Sequence, residues 1–153
     1  MDRRTAGLEN PDFAGWYLQG AWTLTGQPRR YVMASGSFDA PKIDAPFDLS
    51  KGDWGAWELG LRFSELDLNY AAGSAGAAAS ANAVRGGDQK ITTLGLNWYP
   101  NSTVRFQATY QDVQVDRLSP GGAAFGAGAL TPPTGAQVGQ DLKIWTVRTQ
   151  YVF

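Results

Sequence analysis

The sequence predicts an all-β fold, an open and curved sheet of about five antiparallel strands. Five segments alternate strictly between apolar and polar residues, which is the period of a strand with one apolar face. No stretch of comparable length shows the helical spacing of apolar residues. The connections between the segments alternate between a tight turn and long loops of small residues. These observations favour an antiparallel sheet over a helical or mixed fold.

The second segment, "AWELGLRF", shows the alternation most clearly. Every second residue from Trp57 to Phe63 is apolar, whereas Glu58 and Arg62 lie on the opposite side. The same pattern recurs in "GWYLQGAWTLTG", "KITTLGLNWY", "TVRFQATYQ" and the closing "KIWTVRTQYVF". The five predicted strands therefore cover residues 15–26, 56–63, 90–99, 103–111 and 143–153.

The connections differ in length and composition. "YPNST" (99–103) predicts a tight turn, whereas residues 71–88 and 117–141 are long loops rich in glycine and alanine. Short turns on one side and long loops on the other are typical of outer-membrane barrels, in which the long loops are extracellular. The connection 26–55 departs from this rule, because a short turn is expected there.

Aromatic residues lie near both ends of the predicted apolar face, as interfacial aromatic girdles do. On two different strands the apolar face ends at an acid, Glu65 or Asp112, eight residues beyond its first residue. That distance corresponds to about 19 Å of height, close to the band of about 25 Å that lipid covers. The alternation thus favours a transmembrane sheet over its alternative, a soluble β-sandwich. The predicted girdle residues are Trp57, Trp98, Tyr110, Trp145 and Tyr151.

The last strand ends on the aromatic Phe153, with Tyr151 two residues before it on the same face. This arrangement resembles the C-terminal signal that the barrel-assembly machinery recognises in bacterial outer-membrane proteins. The alternative is a last strand that ends in phenylalanine by chance. The start, "MDRRTAGLENPDF", lacks the apolar stretch of a signal peptide, and no run of 18 apolar residues suggests a membrane-spanning helix.

Composition excludes several classes of function. The 153 residues include no cysteine and no histidine, so disulfides, thiol chemistry and histidine-dependent nucleophiles are excluded. Thirteen basic residues against 14 acidic ones give a net charge of −1, which implies no bulk attraction to nucleic acid. No carboxylate cluster has the spacing of a calcium loop. We expect no enzyme, no cofactor and no metal.

Several strings together resemble the C-terminal portion of the phosphate-selective porin O/P family: "GWYLQGAWTLTGQPRRY", "GSFDAPK", "GAWELGLRFSELDLN", "TLGLNWYPNSTVRF" and the closing aromatic strand. This family consists of sixteen-stranded, trimeric outer-membrane channels that pass phosphate and related anions. The resemblance implies that residues 1–153 are the C-terminal part of one such barrel, a fragment without its signal peptide. It also implies that the connection 26–55 folds into the lumen, the alternative being a disordered periplasmic linker.

The polar face of the predicted strands is then the face that lines the lumen, where selectivity is determined. By position along their strands, Arg62 and Arg148 lie near the midplane and Arg105 near the periplasmic mouth. Arginine stays ionised and matches phosphate oxygens, although each arginine has the alternative role of a general charge that ties strands together. Glu58 argues against a purely cationic wall. The other predicted anion-contacting residues are Gln107, Asn97, Arg29, Arg30 and Lys42.

The leading hypothesis is therefore part of an outer-membrane porin that passes phosphate or related inorganic anions by diffusion. Its expected partners are the anion, the lipid bilayer, the barrel-assembly machinery and, at full length, two further copies in a homotrimer. The alternatives are a small self-closing or oligomeric β-barrel that acts as a binding module, and a non-functional truncated remnant. Because five strands leave two open edges, we expect that this chain alone does not form a stable pore.

Overall fold

The computed structural model describes residues 7–121 and 132–151, and all regular elements in those ranges are strands. None of the described residues forms a helix that is long and apolar enough to cross a membrane. The predicted all-β class is confirmed. The strands are β1 (Ala14–Thr23), β2 (Arg29–Val32), β3 (Ser37–Pro41), β4 (Ala56–Tyr70), β5 (Val84–Tyr99), β6 (Val104–Asp116) and β7 (Asp141–Tyr151).

Five of the strands form one antiparallel sheet in the order β1-β4-β5-β6-β7. Strands β2 and β3 form a separate two-stranded sheet within the connection between β1 and β4. Each strand of the larger sheet thus pairs with its neighbours along the chain once this insertion is set aside. The prediction of one sheet of five strands is confirmed, and β1 and β7 are its two edges.

Three strands extend beyond the segments that alternation predicts. Strand β4 continues to Tyr70, β5 already begins at Val84, and β6 continues to Asp116. In the extension "SELDLNY" the alternation is inverted: Glu65, Asp67 and Asn69 continue the face that is apolar from Trp57 to Phe63, and Leu66, Leu68 and Tyr70 continue the other face. The backbone pairing continues through this inversion. The first long loop therefore covers residues 71–83 rather than 71–88.

The turn between β5 and β6 has the tight form that the sequence predicts. The side chain of Asn101 caps it, because Oδ1 accepts hydrogen bonds from the backbone N–H groups of Thr103 (3.0 Å) and Val104 (2.9 Å). The Thr103 hydroxyl donates to the same oxygen at 2.8 Å. Asparagine in this position replaces backbone acceptors that the reversing chain cannot supply.

The connection 26–55 contains a β-hairpin that the sequence pattern did not indicate. Strands β2 and β3 are antiparallel, with Tyr31 opposite Phe38. The rings of this pair make an edge-to-face contact, with centroids 5.1 Å apart. Strands of four and five residues are too short to show a clear alternation, so cross-strand aromatic packing is the main local signal of this hairpin.

The described residues form two compact units, and both contain parts of the five-stranded sheet. The turn unit comprises residues 18–62, 92–111 and 143–151, and includes the β2–β3 hairpin and the β5–β6 turn. The loop unit comprises residues 7–17, 63–91, 112–121 and 132–142.

Within the loop unit, a buried arginine joins the two long loops. The guanidinium of Arg85 donates to the backbone carbonyls of Ala72, Ala77 and Ser119, each at 2.9 Å. The loops also bond directly, because the N–H of Gly76 donates to the carbonyl of Gly135 at 3.0 Å. Loops that composition alone suggests to be flexible are thus held together by specific backbone contacts.

Burial in the described residues is inverted relative to a water-soluble domain. The buried polar side chains are Glu58, Arg85, Asn97 and Ser119, whereas the buried hydrophobic ones are only Ala56, Tyr99 and Val113. Large apolar side chains are exposed instead, for example Trp22 (69%), Trp145 (74%) and Val147 (81%). Soluble proteins rarely expose large contiguous apolar areas, so this face of the sheet requires an apolar partner.

Candidate functional site

The turn unit contains a polar pocket of about 820 Å³. Four neighbouring strands line it with alternate residues, which places them on one face of the sheet. We call this the polar face. Gly20 and Leu61, which alternation assigns to the opposite face, also line the pocket. The remaining lining residues are Gln19, Ala21 and Thr23 from β1, Glu58, Gly60 and Arg62 from β4, Thr93, Gly95 and Asn97 from β5, Arg105, Gln107 and Thr109 from β6, and Arg29 and Phe38 from the hairpin.

A chain of polar contacts crosses the bottom of this pocket. Glu58, which is 4% exposed, accepts a hydrogen bond at Oε1 from Nδ2 of Asn97 at 2.9 Å. Its Oε2 lies 3.0 Å from Nη1 of Arg29, in ion-pair contact rather than in an aligned hydrogen bond. The Oδ1 of Asn97 in turn accepts from Nη2 of Arg105 at 3.2 Å. The four side chains therefore form one network across three strands of the main sheet and the hairpin.

Arg29 is the link between this network and the hairpin. Its Nε donates to the carbonyl of Asp39 at 2.9 Å, and its Nη2 donates to the carbonyl of Phe38 at 3.2 Å. The guanidinium also lies 5.7 Å from the centre of the Phe38 ring. Since the same guanidinium contacts Glu58, the hairpin is held against the polar face by one side chain with several partners.

Arg105 is held less completely. It lies 5.5 Å from the centre of the Tyr99 ring, a favourable position for a cation above an aromatic face. Its Nε is buried and has no hydrogen-bond partner among the residues that the structure describes. Buried donors are normally satisfied, so this N–H is an exception among the described residues, and its burial separates it from an ion in the pocket.

The charge that lines the pocket is predominantly positive. In the described part of the chain, three arginines (Arg29, Arg62 and Arg105) and one glutamate line it. Glu58 is paired with Arg29, so the lining arginines outnumber the one glutamate and the lining carries a net positive charge. Neutral donors such as Gln107 also line the pocket. The arrangement is chemically suited to a hydrated anion.

The opposite face carries a row of aromatic rings, which together with the exposed apolar residues of the strands we call the apolar face. Trp57 and Trp98 stack with centroids 5.6 Å apart, and Trp98 and Phe106 stack at 5.3 Å. Farther along the sheet order, Tyr110 contacts Trp145 at 4.8 Å. The predicted girdle residues are thus brought together in two groups, while Tyr151 is exposed on β7.

The remaining predicted residues lie elsewhere. Arg148 on β7 and Arg30 on β2 are exposed and are not among the residues that line the pocket. Lys42 pairs with Asp44 at 2.7 Å, and the hydrogen bond and charge of that carboxylate raise the pKa of the ammonium. Their role in anion passage stays a prediction. Phe153 lies outside the described residues.

Two structural roles are not apparent from the sequence pattern. Glu58 was noted only as an unfavourable charge, but it is the central acceptor of the network. Arg85 was not singled out, although it joins the long loops of the loop unit. Its signal in the sequence is weak: a single arginine before "GGD" at the end of a small-residue stretch. No group of acidic side chains in the described ranges is arranged to hold a metal ion.

Comparison with known proteins gives a consistent result. The family model described as "Phosphate-selective porin O and P" matches residues 1–153. The chain is 32% identical to Porin O of Pseudomonas aeruginosa over 108 residues. The match covers 69% of this chain and 22% of Porin O. No solved structure is significantly similar to the chain.

Proposed function

Since the chain belongs to the phosphate-selective porin O and P family, we propose that it is part of an outer-membrane channel for phosphate or related inorganic anions. Strands β1 and β4–β7 cross the bilayer, and the polar face lines the lumen. The protein acts as a channel and not as an enzyme, and it works in the bacterial outer membrane. The chain spans about a fifth of the length of Porin O, so these properties are proposed for the assembly that contains it.

The observation that carries this proposal is the inverted burial of the turn unit. Glu58 and Asn97 are buried on the polar face, while Leu94 (44%), Leu96 (37%) and Phe106 (38%) are exposed on the opposite face of the central strands. In water this arrangement would leave a large apolar area unpaired. In a bilayer the same area is covered by acyl chains, and the polar face is covered by the water of the channel. This distribution supports lipid as the partner of the apolar face.

The choice of an anion rests on the charge of the pocket. Three arginines (Arg29, Arg62 and Arg105) and one glutamate line the pocket, so its lining carries a net positive charge. A guanidinium fork matches the oxygens of phosphate, yet a wide pocket keeps the ion hydrated enough to leave. We include Arg148, Arg30 and Lys42 in the proposed pathway from sequence position alone.

The connection 26–55 supplies a constriction in this proposal. Its hairpin contributes Arg29 and Phe38 to the pocket lining, and the ion pair with Glu58 holds it there. A lumenal position explains why a polar hairpin packs on the polar face of a sheet whose other face is apolar. The loops 71–83 and 117–140 are then extracellular.

The open edges of the sheet call for further strands. Strands β1 and β7 each lack a neighbour on one side within the described residues, and an unpaired edge is costly in lipid. Additional strands of one larger barrel satisfy both edges. The barrel-assembly machinery, which would recognise Tyr151 and Phe153, and a homotrimeric assembly belong to the same proposal.

The test is a measurement of ion selectivity on the assembly purified from the outer membrane of the bacterium that produces it. In planar bilayers under a salt gradient, the zero-current potential is expected to indicate preference for anions, and added phosphate is expected to reduce chloride current. Arg105→Gln and Arg62→Gln are each expected to shift that potential towards cations. Lys51→Gln removes an equal charge from an exposed turn and is expected to leave selectivity unchanged.

Two results would overturn the proposal in different ways. Absence of the chain from the outer-membrane fraction would exclude the proposed location. A channel that prefers cations, or that is insensitive to both pocket arginines, would exclude the proposed role of the polar face.

A further inference from the structure

The second half of the connection 26–55 forms an ordered turn that lies against the aromatic row of the apolar face. The N–H of Phe47 donates to the carbonyl of Pro100 at 2.7 Å, and Nε1 of Trp98 donates to the carbonyl of Trp54 at 2.8 Å. The ring of Phe47 makes edge-to-face contacts with Trp98 at 5.4 Å and with Trp54 at 5.9 Å. We call residues 46–54 the aromatic foot.

The aromatic foot has an internal framework of its own. The backbones of Asp48 and Asp53 exchange two hydrogen bonds of 3.0 Å. The carboxylate of Asp48 accepts from the N–H and the hydroxyl of Ser50, and these bonds lower the pKa of its carboxyl group. At the end of the foot, Gly55 has a positive φ of 70°, and a Cβ there would collide with the carbonyl oxygen of Tyr99. The foot is therefore held in a defined place beside the β5–β6 turn.

This ordered turn nevertheless exposes its apolar side chains. Leu49 is 71% exposed, Trp54 is 57% exposed and Phe47 is 37% exposed. Exposing these apolar side chains to water is unfavourable, and the hydrogen bonds of the turn keep them exposed. An apolar phase that covers them would remove this cost. Through the contact of Phe47 with Trp98, this surface is continuous with the row of Trp57, Trp98 and Phe106.

We propose that the aromatic foot is a binding surface for the lipid headgroup and acyl boundary, and that it anchors the connection 26–55 to the bilayer. This inference rests on the proposed function, because it extends the lipid-facing surface of the strands onto a segment outside them. Tryptophan and phenylalanine prefer this interfacial depth. The foot contains one basic residue, Lys51, and two acidic residues, Asp48 and Asp53, so its charge does not favour an anionic lipid. The proposed partner is therefore the boundary between headgroups and acyl chains, whatever the headgroup.

The arrangement gives the connection two attachments on opposite faces of the sheet. Its hairpin is attached to the polar face through Arg29 and Glu58, and its foot is attached to the apolar face through Phe47 and Trp98. The lipid anchor therefore limits how far the hairpin can move away from the pocket.

The absence of cysteine allows a direct test by site-specific labelling. Three variants, Leu49→Cys, Val147→Cys and Ser102→Cys, are labelled with an environment-sensitive fluorophore in the assembly purified from outer membranes. Val147 represents the apolar face of a strand, and Ser102 represents an exposed position in the neighbouring β5–β6 turn. The samples are reconstituted into phosphatidylethanolamine and phosphatidylglycerol vesicles that contain nitroxide lipids, with the spin label either near the headgroup or deep in the acyl chain.

We expect the label at Leu49 to lose emission with the shallow nitroxide lipid and to resist aqueous iodide. The label at Val147 is expected to lose emission with lipid nitroxides, and the label at Ser102 to be quenched by iodide. If Leu49 behaves like Ser102 while Val147 is quenched by lipid, the foot is in water and this inference is overturned, whereas the proposed function stands. If Leu49 is protected from both quenchers, a protein surface covers the foot, which also overturns the inference. If no lipid nitroxide quenches Val147, the proposed function itself fails.

Discussion

Replacement of Glu58 by glutamine tests whether one ion pair holds the hairpin on the polar face. Glutamine retains an oxygen that can accept from Asn97, so Glu58→Gln removes mainly the 3.0 Å ion pair with Arg29. Removing one partner of a fully buried pair costs about 3–5 kcal/mol. An exposed pair contributes only about 0–1 kcal/mol. The side chains of Glu58 and Arg29 are 5% and 27% exposed, which places this pair between the two limits.

We therefore expect Glu58→Gln to destabilise the attachment of the hairpin by about 2 kcal/mol, which corresponds to a factor of about thirty in the opening equilibrium. Amide hydrogen exchange of residues 29–41, followed by mass spectrometry on the reconstituted assembly, measures this factor directly. The same substitution removes the negative charge of the pocket, so the zero-current potential should shift towards stronger anion preference.

The matched control is Asp44→Asn, which breaks the exposed ion pair with Lys42 in the same connection. Exposed pairs contribute little, so exchange of the hairpin should stay unchanged. Equal exchange in Glu58→Gln and in the unmodified protein would refute the reasoning, because the hairpin would then be held by its other contacts. The variant Arg29→Gln, alone and combined with Glu58→Gln, completes a cycle that isolates the coupling. Arg29→Gln also removes the bonds to the carbonyls of Phe38 and Asp39, so its effect should be larger in the presence of Glu58 than in the double variant.

Three further predictions concern the turns and loops. Gly55→Ala should destabilise the protein by clearly more than the roughly 1–2 kcal/mol that a positive φ alone costs, because the new Cβ meets the carbonyl of Tyr99; urea unfolding followed by tryptophan fluorescence measures the loss. Arg85→Gln should leave buried carbonyls without donors and loosen both long loops by about 3 kcal/mol, seen as faster amide exchange in residues 71–83 and 117–121. The hydroxyl of Ser50 is the first cause of the lowered pKa of Asp48, so the ionised carboxylate stabilises the turn 48–53 at pH values above the ordinary pKa of 3.8. This stability should be lost as the pH falls through the lowered pKa, and amide exchange of the turn measures the loss.

Each of these predictions has a close control. Gly52 also has a positive φ, of 76°, but a Cβ there meets nothing within 4 Å, so Gly52→Ala should show the conformational cost alone. Lys143→Gln removes an exposed charge from β7 and should leave the long loops unaffected. Asp48→Asn keeps the acceptor and removes the titration, so its turn should not respond to acid. Indistinguishable results from a variant and its control would contradict the corresponding prediction.

Most of the strand architecture could be predicted from the alternation of apolar and polar residues. The pattern is reliable from Trp57 to Phe63 because the two faces of β4 meet different surroundings there. Beyond Phe63 the two faces exchange character, with Glu65 and Asp67 on the formerly apolar face, although the backbone pairing continues to Tyr70. The hairpin could not be predicted for a related reason: its strands are too short for periodicity, and its stability depends on Arg29 contacts with residues far along the chain.

For the candidate site, alternation predicts which face a side chain lies on but not which charged side chains pair. Alternation places Glu58, Arg62 and Arg105 on the polar face, and all three line the pocket. It cannot indicate which of these charges is neutralised, because the partner of Glu58 comes from an insertion between two neighbouring strands. An anion in the pocket responds to the charge that remains after pairing, and not to the number of arginines in the sequence. Replacing Arg62 or Arg105 removes a lining charge without breaking the Glu58–Arg29 pair, so each change should lower the preference for anions.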